Sequence, residues 1–457
     1  HLLTKLGRPQ EALAALDSAI AIRPHFARAH YERGVVLGLL GNMDEMRDAH
    51  ARTVELQPDS PDALASLALL AARSGDTALA RDYARRSLAL SDRGTLARAA
   101  LAVADIADGQ FATAGRELDS ALAEASPNDT WMDIALADAA DAFDRQNEVS
   151  RAFAAYAAAG ERRRSRQLRS VGHGRAIDAV LRRSAWFKDA EAWPLPSEPA
   201  RPNPSRGHVF LLGFMRSGTT LLETVLACNP QVCASDERDF LAQAARRFLF
   251  SDEGLNRLAA LDEKNLAPLH ESYWKAVSEA GFAVADKIFV NKMPFNSLRL
   301  PLIAKLFPNA RILLAIRDPR DVVFSCFRHR FAATTLTFEF LRLDDCARFY
   351  AATMEFVELC RGKLPLTFFD HRYENMIGHF DESVSDVCEF IGVDWSTAMR
   401  EFVAASGVIA PRNPSAAQVR RGLYESGAGQ WRRYRESLAP VIPILQPWIG
   451  RFGYPAA

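Results

Sequence analysis

"HVFLLGFMRSGTTLLETVL", residues 208–226, is the stretch of the sequence that best predicts the fold. It starts with a short apolar run rich in branched and aromatic side chains, which is typical of a buried strand. It continues into a segment of helical periodicity that stops at Asn229-Pro230. Between the two, Gly213–Thr220 reads G-F-M-R-S-G-T-T, so Thr219 stands where the phosphate-binding pattern G-x-x-x-x-G-K-[ST] has its lysine. The order of strand, loop and helix predicts an anion site at the loop.

The side chains of this loop indicate how it would bind an anion. Backbone N–H groups at a helix N-terminus bind phosphate whatever the side chains are, and Arg216 adds a permanent, planar cation. Thr219 and Thr220 offer hydroxyl groups. The sequence shows neither the lysine expected of a kinase or nucleotide hydrolase nor an obvious strand-terminal carboxylate for magnesium. We therefore expect an anionic donor that is bound without a metal.

The sequence after the loop alternates between strands and helices. The apolar runs "RILLAIRDP" (311–319) and "LPLTFFDHRYE" (364–374) predict buried strands, and "SLRLPLIAKLF" (297–307) predicts one of the helices between them. This alternation predicts an α/β domain with a mostly parallel sheet covered on both faces. In such folds ligands bind at the carboxyl ends of the strands, where the loop lies.

The first third of the chain contains a repeat. Glycine recurs every 34 residues, at positions 7, 41, 75 and 109. Each glycine opens a similar phrase, such as "GRPQEALAALDSAIAIRP", with a small residue five positions later: Ala12, Ala80 and Ala114, whereas Met46 departs. Because a left-handed glycine ends a helix and small residues let helices approach closely, the repeat predicts helix pairs. An alanine-rich bundle with accidental spacing is the alternative.

The segment between the repeat and the loop predicts the domain boundaries. "NEVSRAFAAYAAAG" (147–160) resembles a fifth, displaced copy, and "ERRRSRQLRS" (161–170) favours a solvated helix face over an anion-binding patch. "AWPLPSEPARPNPSR" (192–206) contains five prolines and predicts a semi-rigid linker. We therefore expect a repeat domain (1–160), a connecting helix and linker (161–206) and a second domain (207–457).

Both domains resemble known families. The repeat resembles the tetratricopeptide repeat (TPR), with a period of about 34, which implies a helical solenoid. "GFMRSGTTLLETVLACNPQV" (213–232) resembles the 5′-phosphosulfate loop of sulfotransferases that use 3′-phosphoadenosine 5′-phosphosulfate (PAPS), with Met215 in place of the proline of many relatives. The resemblance implies a P-loop-like α/β sulfotransferase domain. The residues implied to hold the 5′-phosphosulfate are Arg216, Ser217, Gly218, Thr219 and Thr220.

A second segment, "RILLAIRDPRDVVFSCFRHRF" (311–331), resembles the 3′-phosphate site of the same family. In the family this site uses an arginine at a strand end and a serine eight residues later, which correspond here to Arg317 and Ser325. A fixed cation and a hydroxyl on a second element suit a ribose phosphate. For Arg317 alone, the alternative is a surface ion pair with Asp318 or Asp321.

The resemblance implies further donor contacts. The tyrosylprotein sulfotransferase branch adds an arginine at the position of His329, so that Arg328 or Arg330 would have to replace it. Tyr373 is implied to lie near the nucleotide, although a structural role is the alternative. Ser415 aligns with a serine that contacts the donor in repeat-linked relatives.

Two residues are implied to carry the chemistry. The branch that includes tyrosylprotein sulfotransferases has its catalytic glutamate seven residues after the proline that ends the first helix, which is Glu237 here. Lys292, in "FVNKMPFN" (289–296), would neutralise the charge that grows on the oxygen between phosphorus and sulfur. For the neighbouring Asp236 and Asp239, a role as acids at a helix N-terminus is the alternative.

These residues predict sulfuryl transfer from PAPS to an acceptor hydroxyl or amine, without a metal. A kinase of a small metabolite and a non-catalytic TPR scaffold are the alternatives. Histidine serves as the base in cytosolic small-molecule sulfotransferases, but His270 and His371 are not at a recognisable offset. The array suggests a protein or peptide acceptor; carbohydrate, lipid-linked and small-molecule acceptors stay open.

The composition indicates which classes of partner and which cellular compartment are favoured. The net charge is zero, which does not favour nucleic acid or an anionic membrane surface. The sequence has no apolar run near the ~20 residues that span a bilayer. Six scattered cysteines without C-x-x-C spacing favour reduced thiols and the cytoplasm. Because the chain starts in mid-pattern at His1, we expect its natural N-terminus, and any signal peptide, to be missing.

Overall fold

The computed structural model describes residues 2–5, 8–91, 94–124, 132–167, 174–190, 193–194, 203–405 and 427–456. The chain divides into two compact units. The first, the helical-repeat unit, comprises His1–Arg175, Phe327–Cys346 and Arg433–Ser437. The second, the sheet unit, comprises Ala176–Cys326, Ala347–Arg432 and Leu438–Ala457. None of the helices within the described ranges is long and apolar enough to cross a membrane.

The described residues of the N-terminal part of the helical-repeat unit form helices joined by short turns. Its helices are α1 (Leu2–Lys5), α2 (Pro9–Ile22), α3 (Ala27–Leu40), α4 (Met43–Leu56), α5 (Pro61–Ser74), α6 (Thr77–Leu90), α7 (Thr95–Ala107), α8 (Phe111–Glu124), α9 (Met132–Arg145) and α10 (Val149–Gln167). Helices α3, α5 and α7 begin 34 residues apart, and so do α2, α4, α6 and α8. The predicted repeat of helix pairs is therefore confirmed. Helix α10 begins a few residues late, as expected of a displaced copy.

The glycines of the repeat end helices as predicted. Gly41 follows α3 with φ 86° and Gly75 follows α5 with φ 91°, both in the left-handed region. Gly109, after α7, has φ 76°. The left-handed conformation lets the chain turn between paired helices without a Cβ clash. Gly7 lies outside the described residues.

The small residues that follow these glycines are buried between helices. Ala12, Ala80 and Ala114 are each at most 2% exposed. In the copy that departs from the pattern, a Cβ added at Gly38 of α3 would lie 2.9 Å from the sulfur of Met46. A glycine on the neighbouring helix therefore makes room for the larger side chain.

The basic end of α10 is not a plain solvated face. Arg163 donates a hydrogen bond to the carbonyl of Phe331, and Arg166 forms an ion pair with Asp133. Both contacts lie inside the helical-repeat unit. Burial lowers the pKa of Arg163 below its usual value. Arg166 thus links α10 to α9, and Arg163 links α10 to the segment 327–346 of the same unit.

The sheet unit contains one five-stranded sheet among its described residues. Its strands are β1 (Gly207–Gly213), β2 (Val232–Ser235), β3 (Ile288–Lys292), β4 (Arg311–Ile316) and β5 (Thr367–Arg372), in the order β2-β3-β1-β4-β5. Every pairing is parallel. The predicted α/β class is confirmed, and each of the three predicted strands is present.

Helices connect and cover these strands. They are α11 (Ala176–Asp189), α12 (Thr219–Ala227), α13 (Ala242–Phe248), α14 (Asp252–Ala259), α15 (Glu263–Glu279), α16 (Leu300–Leu306), α17 (Pro319–Arg328), α18 (Thr335–Phe338), α19 (Leu343–Lys363), α20 (Tyr373–Gly378), α21 (Phe380–Ile391) and α22 (Phe402–Ala405), followed by Arg435–Leu438 and Ile442–Arg451. Short 3₁₀ helices span Pro294–Arg299, Thr397–Glu401, Gln430–Tyr434 and Ala439–Val441. The end of α17, all of α18 and the start of α19 belong to the helical-repeat unit.

The register of the central strands brings their carboxyl ends to one edge. Leu211 of β1 pairs with Lys292 of β3, and Gly213 pairs with Ala315 of β4. A Cβ at Gly213 would lie 2.7 Å from the carbonyl oxygen of Ala315, so only glycine fits where the loop leaves the sheet. The strands are apolar on both faces because helices cover both. The sheet therefore presents the loop, Lys292 and the end of β4 side by side.

Candidate active site

The loop between β1 and α12 has two residues with positive φ angles, a conformation that residues with side chains rarely adopt. Arg216 has φ 69° and Gly218 has φ 93°, and the N–H of Ser217 donates to the carbonyl of Phe214 at 3.3 Å. A left-handed residue other than glycine is uncommon, and such strain clusters at ligand sites. The turn leads into α12 at Thr219, so the N–H groups of the first helical turn lie at the positive end of the helix. This geometry suits an anion.

The predicted 5′ and 3′ phosphate residues meet in the sheet unit. Arg216 donates from Nε to Oγ of Ser325 on α17 at 3.1 Å. Arg317, just after β4, donates from Nη1 to the backbone carbonyl of Arg216 at 3.0 Å. Two arginines and a hydroxyl from three elements therefore converge. The ribose phosphate and the phosphosulfate of one nucleotide both need such donors.

Arg317 is not held by the carboxylates that sequence reasoning offered as alternatives. Asp318 accepts hydrogen bonds from Arg320 at 2.9 and 2.7 Å. Asp321 accepts from the backbone N–H groups of Gly429 at 2.6 Å and Trp431 at 2.8 Å. Burial raises the pKa of Asp321, while the positive charge of Arg317 works against that rise. The alternative of a surface ion pair is therefore wrong for Arg317.

Arg317 also has donor capacity left for a ligand. Its Nε is buried and makes no hydrogen bond to any residue that the structure describes. Its guanidinium lies 4.9 Å from the centre of the Tyr373 ring, and Nη2 donates to the carbonyl of Gly427. A buried, unsatisfied N–H is costly unless a partner completes it. An anion at this position would supply that partner.

Tyr373 borders the loop directly. A Cβ added at Gly218 would lie 2.6 Å from Cδ2 of Tyr373, so the ring touches the turn. The ring is buried at the start of α20. Tyr373 therefore lies between the loop and Arg317.

The remaining predicted donor contacts are placed differently. Arg328 lies 3.5 Å from Asp144, and Arg330 lies 2.8 Å from Asp138, so both arginines have carboxylate partners within the helical-repeat unit. Ser415 lies outside the described residues. The contact of Asp321 with Gly429 and Trp431 was not predicted, because these residues are remote from it in sequence.

The predicted catalytic pair is in contact. Lys292 ends β3 with a fully buried side chain, and its Nζ lies 2.9 Å from Oε1 of Glu237. The same Nζ lies 3.1 Å from Oε2 of Glu223 on α12, a residue that was not predicted to belong to the site. Burial raises the pKa of Glu223 to about 7, although Lys292 opposes the rise. Glu237 is 30% exposed and is thus the accessible carboxylate.

The acids that flank Glu237 have other partners. Asp236 forms an ion pair with Arg238 at 3.0 Å. Asp239 accepts from Nη2 of Arg299 at 2.7 Å. Among the described contacts, neither forms an ion pair with Lys292, whereas Glu237 does. The geometry therefore separates Glu237 from its neighbours as the carboxylate that faces the buried ammonium.

The two candidate histidines are structural. His371 is buried, hydrogen-bonds to Ser383 at 3.1 Å, and has its pKa lowered to about 4 by burial. His270 is buried and accepts from Nε1 of Trp274 at 3.2 Å. Each packs inside the sheet unit, and the Nε2 atom of each is hydrogen-bonded. Neither fits a base that must meet a substrate.

The sequence of the sheet unit matches known proteins. Residues 208–397 match the family model described as the sulfotransferase family. An uncharacterized protein of Aquifex aeolicus (strain VF5) is 29% identical over 259 residues, which cover 54% of this chain and 33% of that protein. Protein-tyrosine sulfotransferase 2 of Gallus gallus is 27% identical over 201 residues, which cover 41% of this chain and 52% of that protein. The chain thus spans about half or less of the length of these two relatives.

Solved structures match each part of the chain. The sulfotransferase domain of the Synechococcus PCC 7002 olefin synthase is 20% identical with a TM-score of 0.40; the match covers 58% of this chain and 100% of that domain. YrrB, a TPR protein with an unusual peptide-binding site, is 20% identical with a TM-score of 0.26; the match covers 35% of this chain and 79% of YrrB. Residues 208–397 thus match the sulfotransferase family, and this part of the chain is similar in sequence to protein-tyrosine sulfotransferases.

Proposed function

We propose that the sheet unit transfers a sulfuryl group from PAPS to an acceptor hydroxyl or amine, with Glu237 as the base. The observation that carries the proposal is the contact of Glu237 with the buried ammonium of Lys292, 2.9 Å away. That pair stands at the same edge of the sheet as Arg216 and Arg317, which bind each other. A base, a cation and an anion cradle are what this reaction requires.

The cradle would hold the donor through two groups of residues. Arg216, with the amides and hydroxyls of the following loop residues, would bind the 5′-phosphosulfate: Ser217, Gly218, Thr219 and Thr220. Arg317 and Ser325 would bind the 3′-phosphate, and Tyr373 would border the nucleotide. The Nε of Arg317, which is buried and has no hydrogen-bond partner among the described residues, supports this assignment because an anion would supply the partner.

The transfer would need little covalent work from the protein. PAPS supplies an activated sulfuryl group, whose charge is spread much as in phosphoryl transfer. Glu237 takes the proton as the acceptor oxygen or nitrogen bonds to sulfur and the bond from sulfur to the bridging oxygen breaks. Lys292 neutralises the charge left on that oxygen. The exposure of Glu237 suits contact with an acceptor, and the burial of Lys292 strengthens its electrostatic effect.

The acceptor that we propose is a tyrosine hydroxyl of a protein or peptide. Relatives of the sheet unit are named protein-tyrosine sulfotransferases, and a TPR protein with a peptide-binding site matches the helical part. Helix-pair arrays of this period often hold extended peptides. A screen with sulfur-labelled PAPS and tyrosine peptides, phenols, oligosaccharides and lipid-linked acceptors tests this choice; transfer to a non-peptide acceptor alone would overturn it.

Donor class is tested by thermal shift with 3′-phosphoadenosine 5′-phosphate (PAP) and with ATP, each with and without magnesium. We expect PAP to stabilise the protein without magnesium, by about 2.7 kcal/mol at 100 times its Kd. ATP lacks the 3′-phosphate that Arg317 and Ser325 would bind. Magnesium-dependent stabilisation by ATP, with none by PAP, would instead support a kinase.

A further inference from the structure

Lys292 is shared by two carboxylates that differ in exposure. Its Nζ lies 3.1 Å from Glu223 and 2.9 Å from Glu237, and its own side chain is 0% exposed. The side chain of Glu223 is 7% exposed, against 30% for Glu237. Glu223 is thus the buried partner of the ammonium, and Glu237 is the partner open to solvent.

Glu223 is also part of the helix that follows the phosphate loop. It lies one turn after Thr219 and Thr220 on α12, so the loop, the helix and Lys292 are linked through one side chain. Lys292 is the cation that contacts Glu223 within the described part of the chain. The carboxylates of Asp236 and Glu237 act on Glu223 in the same direction as its burial, raising its pKa. A second carboxylate so close to one ammonium carries an electrostatic cost that a purely structural pair would avoid.

The proposed reaction suggests a role for Glu223, the second carboxylate beside Lys292. When Glu237 takes up the acceptor proton, it loses its negative charge and stops being an ion-pair partner of Lys292. This happens as the bridging oxygen gains charge and the position of the ammonium matters most. In the proposed reaction Glu223 takes up no proton, so its contact with Lys292 is kept while Glu237 is protonated.

We propose that Glu223 is a positioning residue for sulfuryl transfer, which keeps the ammonium of Lys292 in place while Glu237 changes from carboxylate to carboxylic acid. This inference rests on the function proposed above. It adds a carboxylate that acts only through Lys292 and touches neither donor nor acceptor.

The test is the kinetics of Glu223→Gln, a variant of equal size without the charge. We expect kcat to fall about 10-fold or more, since small misplacements of a catalytic group can cost up to about 100-fold. The KM for PAPS and the Kd for PAP should stay at wild-type values. The acidic limb of kcat against pH should move to lower pH, because Lys292 then faces Glu237 alone and favours its ionised form.

A second variant separates the effect of the charge of Glu223 from the effect of its position. Glu223→Asp keeps the carboxylate but shortens its reach, so we expect a reduced kcat with the pH profile of the wild type. If Glu223→Gln does not fold, Glu223→Asp decides alone, and a wild-type kcat in that variant contradicts the inference. Glu339→Gln is the matched control: it removes a fully buried carboxylate from an ion pair with Arg175 in the helical-repeat unit and should leave kcat and its pH profile unchanged.

The failure of this inference differs from the failure of the proposed function. A folded Glu223→Gln variant with wild-type kcat and pH profile, next to an inactive Glu237→Gln variant, overturns only the role of Glu223. A lower melting temperature with parallel loss of PAP binding and an unmoved pH profile indicates a structural role, and overturns it too. Absence of PAP binding by the wild-type protein overturns the proposed function itself.

Discussion

Arg317 donates a hydrogen bond to the backbone carbonyl of Arg216 at 3.0 Å, although 101 residues separate the two in sequence. The contact joins the end of β4 to the strained loop after β1. It leaves the Nε of Arg317 buried and unsatisfied among the described residues. Under the proposed function, this guanidinium would fix the loop for one phosphate and keep a donor for another, which makes Arg317 the residue most worth testing.

Replacing Arg317 by lysine should weaken PAP binding about 10- to 100-fold, because lysine keeps the charge but loses the planar donor set. Isothermal titration calorimetry measures this directly. Arg311→Lys is the matched control, since Arg311 is exposed at the opposite end of the same strand. Equal affinity in Arg317→Lys and wild type would remove Arg317 from the nucleotide site.

Replacing Glu237 by glutamine should lower kcat about 10²- to 10⁴-fold, which is the usual contribution of a general base. PAP binding should persist, because the cradle of arginines is intact. Asp239→Asn is the control: Asp239 is a close neighbour, but its carboxylate is bound to Arg299. If both variants keep wild-type turnover with labelled PAPS, Glu237 is not the base.

Local patterns in the sequence were sufficient to predict the elements and much of the candidate site. Periodicity along a few residues predicts strands and helices, and the loop 213–220 is contiguous, so its residues could be named together. The parallel sheet then brings Lys292 and Arg317 to the loop, because the carboxyl ends of parallel strands share one edge. These relationships need no knowledge of side-chain packing.

Pairings across the sequence could not be predicted in this way. Glu223 reads as an ordinary helix residue until the structure places Lys292 3.1 Å from it. The sequence suggests Asp321 only as an ion-pair partner of Arg317, whereas in the structure it accepts from the N–H groups of Gly429 and Trp431. Charged residues have many chemically suitable partners in a chain of this length, and only the tertiary fold selects one.

The buried imidazole of His371 should make stability depend on pH. Its folded-state pKa is lowered to about 4 by burial, whereas an unfolded histidine titrates near 6.5. Between these values the unfolded chain binds more protons, so His371 contributes stability that falls as pH drops from 6.5 towards 4, by at most about 3 kcal/mol.

The measurement is urea denaturation at several pH values, followed by tryptophan fluorescence. His371→Gln should lose less stability than wild type between pH 6.5 and 4.5, whatever its stability at neutral pH. His25→Gln, a change at an exposed histidine, should retain the wild-type dependence. Identical slopes for wild type and His371→Gln would show that His371 is not buried in its neutral form.

Gly218 and Gly75 offer a matched test of the contact between the loop and Tyr373. Their backbones are alike, with φ 93° and 91°, but their surroundings differ. A Cβ at Gly75 meets nothing within 4 Å, whereas one at Gly218 would lie 2.6 Å from Cδ2 of Tyr373. Gly75→Ala therefore reports the cost of the left-handed conformation alone, about 1–2 kcal/mol, and should leave PAP affinity unchanged.

Gly218→Ala carries the same backbone cost and must also displace the Tyr373 ring, which lies 4.9 Å from the guanidinium of Arg317. We expect PAP affinity to fall about 10-fold or more, which corresponds to at least 1.4 kcal/mol. Both alanine variants carry the strain of the left-handed backbone, but only Gly218→Ala clashes with Tyr373. A difference in PAP affinity between them, measured by calorimetry, therefore reports the steric effect. Wild-type affinity in a folded Gly218→Ala protein would mean that neither the turn nor the Tyr373 ring shapes the nucleotide site, and that Arg317 binds without their support.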